Sequence, residues 1–154
     1  MESIAQQQYE WVKDSRRVLF DYCRTIAPKH FVDQNTTFGR GGSMRNLLVH
    51  IANTYQFWIA NTGLQMNIGY PGYEDLHNID EVIRLFDDVD AFMDTYISRI
   101  DDRDIPYEIG GVKSNAKPLK LFTHVITHEY HHKGQILSIS RHLGYVPVDT
   151  DVMR

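Results

Sequence analysis

The strongest fold signal in the chain lies in residues 118–143, which read PLKLFTHVITHEYHHKGQILSISRHL. Pro118 suits the first turn of a helix, where a backbone N–H has no partner in any case. Gly144 suits the position just after a helix end. Leu121, Val125 and Ile139 fall on one side when residues are placed 100° apart. The stretch therefore predicts a long amphipathic helix.

Three earlier helices are predicted from similar apolar stripes, over residues 3–26, 43 to 61 or 62, and 79–100. Ser43 and Asn78 are suitable N-caps for the second and third, and Pro28 stops the first. The stripe assigned to the first helix comprises Ile4, Trp11, Val12, Val18, Leu19, Tyr22, Cys23 and Ile26. Four such stripes are best buried in an all-α, four-helix bundle.

The connections between the predicted helices are long. Residues 33–42 and 64–77 are rich in glycine and small polar residues and read as loops. Within residues 105–112, Gly110 and Gly111 separate short apolar segments, which is typical of a short hairpin before the last helix. A chain of 154 residues is expected to form a single domain, residues 1–154.

Composition excludes several classes of function. The formal net charge of −4 leaves no domain-wide basic surface for nucleic acid. No run of about 18 apolar residues is present for a membrane helix, and the polar residues 1–9 do not resemble a secretory signal. The single cysteine, Cys23, excludes an internal disulfide and fits a reducing compartment, so a cytoplasmic location is expected.

Histidine is the unusual residue of this sequence, with eight copies in the chain. His128 and His132 lie about 40° apart on neighbouring turns of the last predicted helix, along the stripe that should face the core. A buried imidazole is either a hydrogen-bonded core residue or a metal ligand, and one ion satisfies several imidazoles together. His50, on the apolar face of the second predicted helix, is the best third ligand. His30, His77 and His142 are expected to be solvated or to cap helices.

Residues 128–132 also match the zinc-peptidase pattern H-E-x-x-H, in which the glutamate is the general base. Glu129 is therefore a candidate catalytic residue, although it could equally orient a ligand or face solvent. The peptidase hypothesis is the weaker one, because Gln135 and Ser138 occupy positions where a longer form of the motif requires glycine and histidine. Cys23 is a poor candidate nucleophile, because it lies on an apolar stripe.

Two separated elements resemble the DinB-like (DinB/YfiT) superfamily, named for a damage-inducible protein. One is residues 124–136 together with 141–144, with Lys133 where arginine is more usual. The other is residues 44–52, followed by Trp58 eight positions after His50. The resemblance implies a four-helix bundle, usually a homodimer, with one divalent metal ion, Zn²⁺ or Ni²⁺. Carried over by position, the ligands are His50, His128 and His132, with lesser roles for His124 and His131.

Relatives in this superfamily include transferases and isomerases that use low-molecular-weight thiols. The favoured function is therefore a metal-dependent enzyme of the thiol-S-transferase type, acting on a small electrophilic substrate. The competing hypothesis is a stress-responsive metal-binding protein without catalysis. A homodimer is expected from the resemblance. The residues alone leave two alternatives, because large apolar side chains of the first and third helices either fill the core or form an interface: Trp11, Phe20, Tyr22, Phe86, Phe92 and Tyr96.

Overall fold

The computed structural model describes residues 1–36 and 42–154, and these form a helical bundle with one small hairpin. In chain order the elements are α1 (Ile4–Arg24), α2 (Pro28–Phe31), α3 (Met44–Tyr55), a π-helix (Gln56–Gly63), a 3₁₀ turn (Tyr73–Asp75), α4 (Ile79–Ile97), β1 (Ile105–Ile109), β2 (Val112–Ala116) and α5 (Pro118–His142). The predicted all-α bundle is confirmed. Of the predicted loop 33–42, residues 37–41 lie outside the described part of the chain.

The helix starts follow the capping chemistry. Ser43 Oγ accepts a hydrogen bond from the backbone N–H of Asn46 at 2.9 Å, and Asn78 Oδ1 accepts one from Glu81 at 2.9 Å. Each satisfies one of the N–H groups that the first turn leaves unpaired. Both helices therefore begin where predicted. The predicted ends of the first and third helices extend beyond the observed ends at Arg24 and Ile97.

The second predicted helix is two elements. Regular α-helix ends at Tyr55, and a π-helix continues from Gln56 to Gly63, one or two residues beyond the predicted end. A Cβ at Gly63 would stand 2.4 Å from the Tyr96 ring, so glycine lets α4 pack closely here. Because a π-turn holds more residues than an α-turn, the side chains after Tyr55 leave the α-helical register in which His50 and Trp58 share a face.

The predicted hairpin is also confirmed. β1 and β2 pair antiparallel, with Ile105 opposite Ala116 at the buried end and Ile109 opposite Val112 at the tip. Gly110 and Gly111 have φ values of 57° and 79°. Two consecutive positive φ values define a turn that matches the twist of the strands and favours glycine at both positions. The hairpin leads directly into α5.

The stripe predicted for the first helix is partly wrong. Ile4 is 77% exposed and Trp11 is 52% exposed. At 100° per residue, Trp11 lies about 100° from Val12, which centres the buried face with Leu19 and Cys23. The other large residues named for a core or an interface are buried: Phe20, Tyr22, Phe86, Phe92 and Tyr96.

Helix α3 is the central element of the bundle. It contacts both α4 and α5 and is buried on nearly every side, as expected for a helix surrounded by others. His50 is one of the few positions on α3 that keep partial exposure. None of the helices in the described ranges is long and apolar enough to span a bilayer.

Candidate metal centre

Helices α3 and α5 bring His50, His128 and His132 together. The Nε2 atom of His128 lies 3.1 Å from Nε2 of His50 and 3.0 Å from Nε2 of His132. One ring nitrogen from each residue lies within 4.8 Å of the others. Two nitrogens bound to one tetrahedral ion at 2.0–2.1 Å are about 3.3 Å apart, close to the two measured Nε2–Nε2 distances. The three predicted ligand positions therefore converge.

The hydrogen bonds of this cluster fit metal ligation. His132 Nδ1 lies 2.6 Å from the side-chain carbonyl oxygen Oε1 of Gln135, so this nitrogen carries the proton and donates it. The Nε2 of His132 is then the nitrogen that carries the lone pair, and it faces Nε2 of His128. Such an outer hydrogen bond is the usual way in which proteins orient a metal-bound imidazole. His128 Nδ1 is buried and has no hydrogen-bond partner within the described residues.

Electrostatics keep His128 neutral. Burial, followed by repulsion from the positive forms of His132 and His50, lowers the pKa of His128 to about 3. At neutral pH its imidazole is therefore unprotonated, which is the form that binds metal ions. The composition of the cluster also fits a divalent-metal site, because three imidazole groups are a suitable ligand set for zinc and nickel.

The neighbouring histidines occupy different positions. His131 is exposed, and its ring lies 4.8 Å from that of His132. His124 is also exposed, although burial of part of its ring lowers its pKa. Its ring lies 5.4 Å from Trp58 and 5.9 Å from His128. His124 therefore stands at the rim of the cluster.

The three remaining histidines lie outside the cluster. His30 lies in the short helix α2, and its Nδ1 is 2.8 Å from the Tyr145 hydroxyl. His142 donates from Nδ1 to the carbonyl of Ser138 at 2.8 Å, near the end of α5. His77 is exposed.

Glu129 lies between the two ligand positions in sequence but points into a buried ionic network. It is 1% exposed, so the solvated alternative is wrong. Its carboxylate accepts two hydrogen bonds from Arg16, each of 2.9 Å, and one from the Tyr55 hydroxyl at 2.6 Å. Lys133 Nζ lies 3.2 Å away. Burial alone would raise the pKa of Glu129, but the charges of Arg16 and Lys133 outweigh it and lower the pKa to about 2.

Lys133 is fully buried in the same network. Its ammonium group donates to Ser15 Oγ at 3.0 Å and lies 4.3 Å from the centre of the Tyr130 ring. Burial lowers the pKa of Lys133, and the Glu129 charge opposes that shift. The residue that differs from the usual arginine is therefore part of the packing behind the histidines rather than part of the cluster.

Arg16 and Tyr55 are the site residues that sequence reasoning missed. Arg16 is 2% exposed and follows Val12 by four residues, on the buried face of α1. A charged residue within an apolar stripe is a readable signal, because a buried charge requires a partner. Glu129 carries the same signal, four residues after Val125 and seven before Ile136. Tyr55 gave no signal that separates it from an ordinary core tyrosine.

A helical bundle with three convergent histidines on two of its helices defines a candidate divalent-metal protein. The family model of the DinB family matches residues 1–154, and the chain belongs to this family. No curated protein matches the sequence.

Proposed function

We propose that this protein is a metal-dependent enzyme of the thiol-S-transferase type, which uses a low-molecular-weight thiol and a small electrophilic substrate. His50, His128 and His132 would hold one Zn²⁺ or Ni²⁺ ion. The proposal rests on one observation above all: the three Nε2 atoms converge while Gln135 fixes the proton of His132 on Nδ1.

The metal would act as a Lewis acid and lower the pKa of the thiol that meets it. Three imidazole ligands leave a coordination position for that group. The chain itself keeps the His128 imidazole neutral and fixes the proton of His132 on Nδ1. Cys23 supports the assignment of the nucleophile to a co-substrate, because its thiol is buried and burial raises its pKa to about 12.

The environment of Glu129 favours this proposal over a zinc peptidase. A peptidase base must be free to take a proton. Both carboxylate oxygens of Glu129 accept hydrogen bonds from Arg16, and the pKa of the group, about 2, makes it a weak base. Glu129 is therefore proposed to stabilise the bundle behind the ligands and not to act on the substrate.

The test is turnover by metal-loaded protein against a panel of low-molecular-weight thiols and small electrophiles. We expect thiol-dependent product formation that is lost in His50→Ala and retained in His77→Ala, a matched change at an exposed histidine. Metal-dependent cleavage of a peptide would support the peptidase. Metal binding without turnover on any thiol would support the non-catalytic, stress-responsive alternative.

We further propose a homodimer. The burial of Phe20, Phe86 and Tyr96 assigns these side chains to the core of one chain, so an interface must use other residues. Trp11, which is 52% exposed on α1, is available for it. Sedimentation equilibrium should give twice the 18.0 kDa chain mass. A mass of one chain across a wide concentration range would contradict the dimer.

A further inference from the structure

A cavity of ≈ 220 Å³ lies where the π-helix, the hairpin and the first turns of α5 meet. Its walls include Trp58 from the π-helix, Tyr107 from β1, and Lys120, Leu121 and His124 from α5. The Trp58 and Tyr107 rings are 5.3 Å apart at 71°, an edge-to-face arrangement. The cavity therefore has a rigid aromatic wall built by two elements that are distant in sequence.

This cavity adjoins the candidate metal centre. His124 lines it, and the His124 ring lies 5.4 Å from that of Trp58 and 5.9 Å from that of His128. Lys120, His124 and His128 follow one another at four-residue intervals, which places them in one row along α5. A molecule in the cavity would thus lie at the end of a short row that leads to a metal-site histidine.

Size and wall chemistry limit the occupant. An apolar cavity of about 150 Å³ accommodates a benzene molecule, so ≈ 220 Å³ has room for one ring with a small substituent. Aromatic side chains favour a flat, apolar body.

The cavity also has a single charge. Lys120 is the only lining residue with a permanent charge, and it forms no ion pair in the described part of the chain. Lys117, three residues earlier, differs, since its ammonium group contacts Asp104 at 3.1 Å. An unpaired ammonium group at an aromatic cavity favours a ligand with one negative group.

We propose that this cavity binds a planar, apolar small molecule with one anionic group, its ring against Trp58 and Tyr107 and its anion toward Lys120. The assignment of this molecule as a reactant of the metal centre rests on the proposed function. Its binding does not require turnover and is tested without it.

The chain has two tryptophans, so a ¹H–¹⁵N NMR spectrum carries two indole N–H signals, which a Trp11→Phe variant assigns. Benzoate serves as the probe and benzamide as its neutral isostere. We expect benzoate to shift the Trp58 signal saturably, to leave the Trp11 signal in place, and to bind more tightly than benzamide. Lys120→Gln should weaken benzoate binding about two- to fivefold, as for a partly exposed charge pair. Lys113→Gln, at a lysine outside the cavity, should leave it unchanged.

The titrations are run on metal-loaded protein and on protein stripped with a chelator. Binding to both forms, weakened by Lys120→Gln, supports the cavity site even if the metal proposal fails. A shift of Trp58 that needs the metal and ignores Lys120→Gln means that benzoate coordinates the ion, which overturns the cavity site and leaves the metal site standing. Equal affinities for benzoate and benzamide, or no shift of the Trp58 signal, also overturn the cavity site.

Discussion

Tyr55 donates a hydrogen bond of 2.6 Å from its hydroxyl to Oε2 of Glu129, and this contact ties together the two helices that carry the histidine cluster. Tyr55 follows His50 on α3, and Glu129 lies directly after His128 on α5. Both residues are 1% exposed or less. The spacing between the histidines of α3 and α5 is therefore supported by a buried polar contact.

Tyr55→Phe removes this contact and leaves one hydrogen bond of a buried carboxylate unmade. We expect the free energy of unfolding to fall by about 1–3 kcal/mol. We also expect zinc affinity to fall about tenfold, because the outer contacts of a metal site position its ligands. Denaturant unfolding and competition with a chelating dye measure the two effects.

Tyr9→Phe is the matched control for Tyr55. The Tyr9 hydroxyl bonds Asp90 of α4 at 2.6 Å, so its loss affects the same network but not the contact between α3 and α5. It should lower stability and leave zinc affinity within about twofold of wild type. Unchanged zinc affinity in a destabilised Tyr55→Phe protein would show that the contact does not position the histidines.

Gln135→Leu should weaken zinc binding about 10- to 100-fold, because the Nδ1 proton of His132 loses the carbonyl that orients it. Stability without metal should change little, because Gln135 is only half-buried. His131→Ala is the control, since His131 is exposed and outside the convergent set. Equal zinc affinities for the two variants would argue against the tautomer assignment.

The low pKa of His128 predicts a pH dependence of the metal-free protein. Below about pH 6.5 the unfolded chain binds a proton at this residue, whereas the folded protein resists protonation until about pH 3. The free energy of unfolding should therefore fall as the pH drops from 6.5 toward 3, by up to about 1.4 kcal/mol per pH unit for one proton. Denaturant unfolding of metal-free wild type and His128→Phe over this range gives the two slopes. A slope as steep in His128→Phe as in wild type would assign the effect to other groups.

Burial of Cys23 predicts a thiol that is inert in the folded protein. Burial raises the pKa of Cys23 to about 12, so almost no thiolate is present at neutral pH. Iodoacetamide should leave the folded protein unmodified for hours while glutathione in the same tube reacts, and should modify Cys23 in denaturant. Mass spectrometry reads the result, and rapid alkylation of the native protein would contradict the buried position.

The fold could be predicted from the sequence because local and global signals agree. Ser43, Asn78 and Pro118 mark helix starts through local hydrogen-bonding chemistry, which does not depend on the rest of the bundle. The hairpin could also be predicted locally, from the two consecutive glycines Gly110 and Gly111. The π-helix was not predicted, because the apolar spacing of residues 56–63 does not distinguish a π-helix from an α-helix. Likewise, the close approach of Gly63 to Tyr96 joins segments far apart in sequence.

Of the candidate site, the sequence predicted which three histidines lie together but not the contacts around them. His128 and His132 could be placed on one face because they are four residues apart, and a single helix is enough to bring such residues together. The partners of Glu129 come from α1 and α3, so its role depends on how three helices pack. Trp11 was wrongly assigned to the buried stripe of the first helix, because a stripe of three- and four-residue steps is wide enough to include residues at the edge of the buried face.

The metal content of protein purified without an affinity tag tests the central claim most directly. Elemental analysis should find about one Zn²⁺ or Ni²⁺ ion per chain in the wild type, since the three converging imidazoles form one site. His50→Ala, His128→Ala and His132→Ala should each lose the ion, whereas His124→Ala and His131→Ala should keep it. Circular dichroism must show that each variant is folded. Wild-type metal content in folded His128→Ala protein would contradict the account.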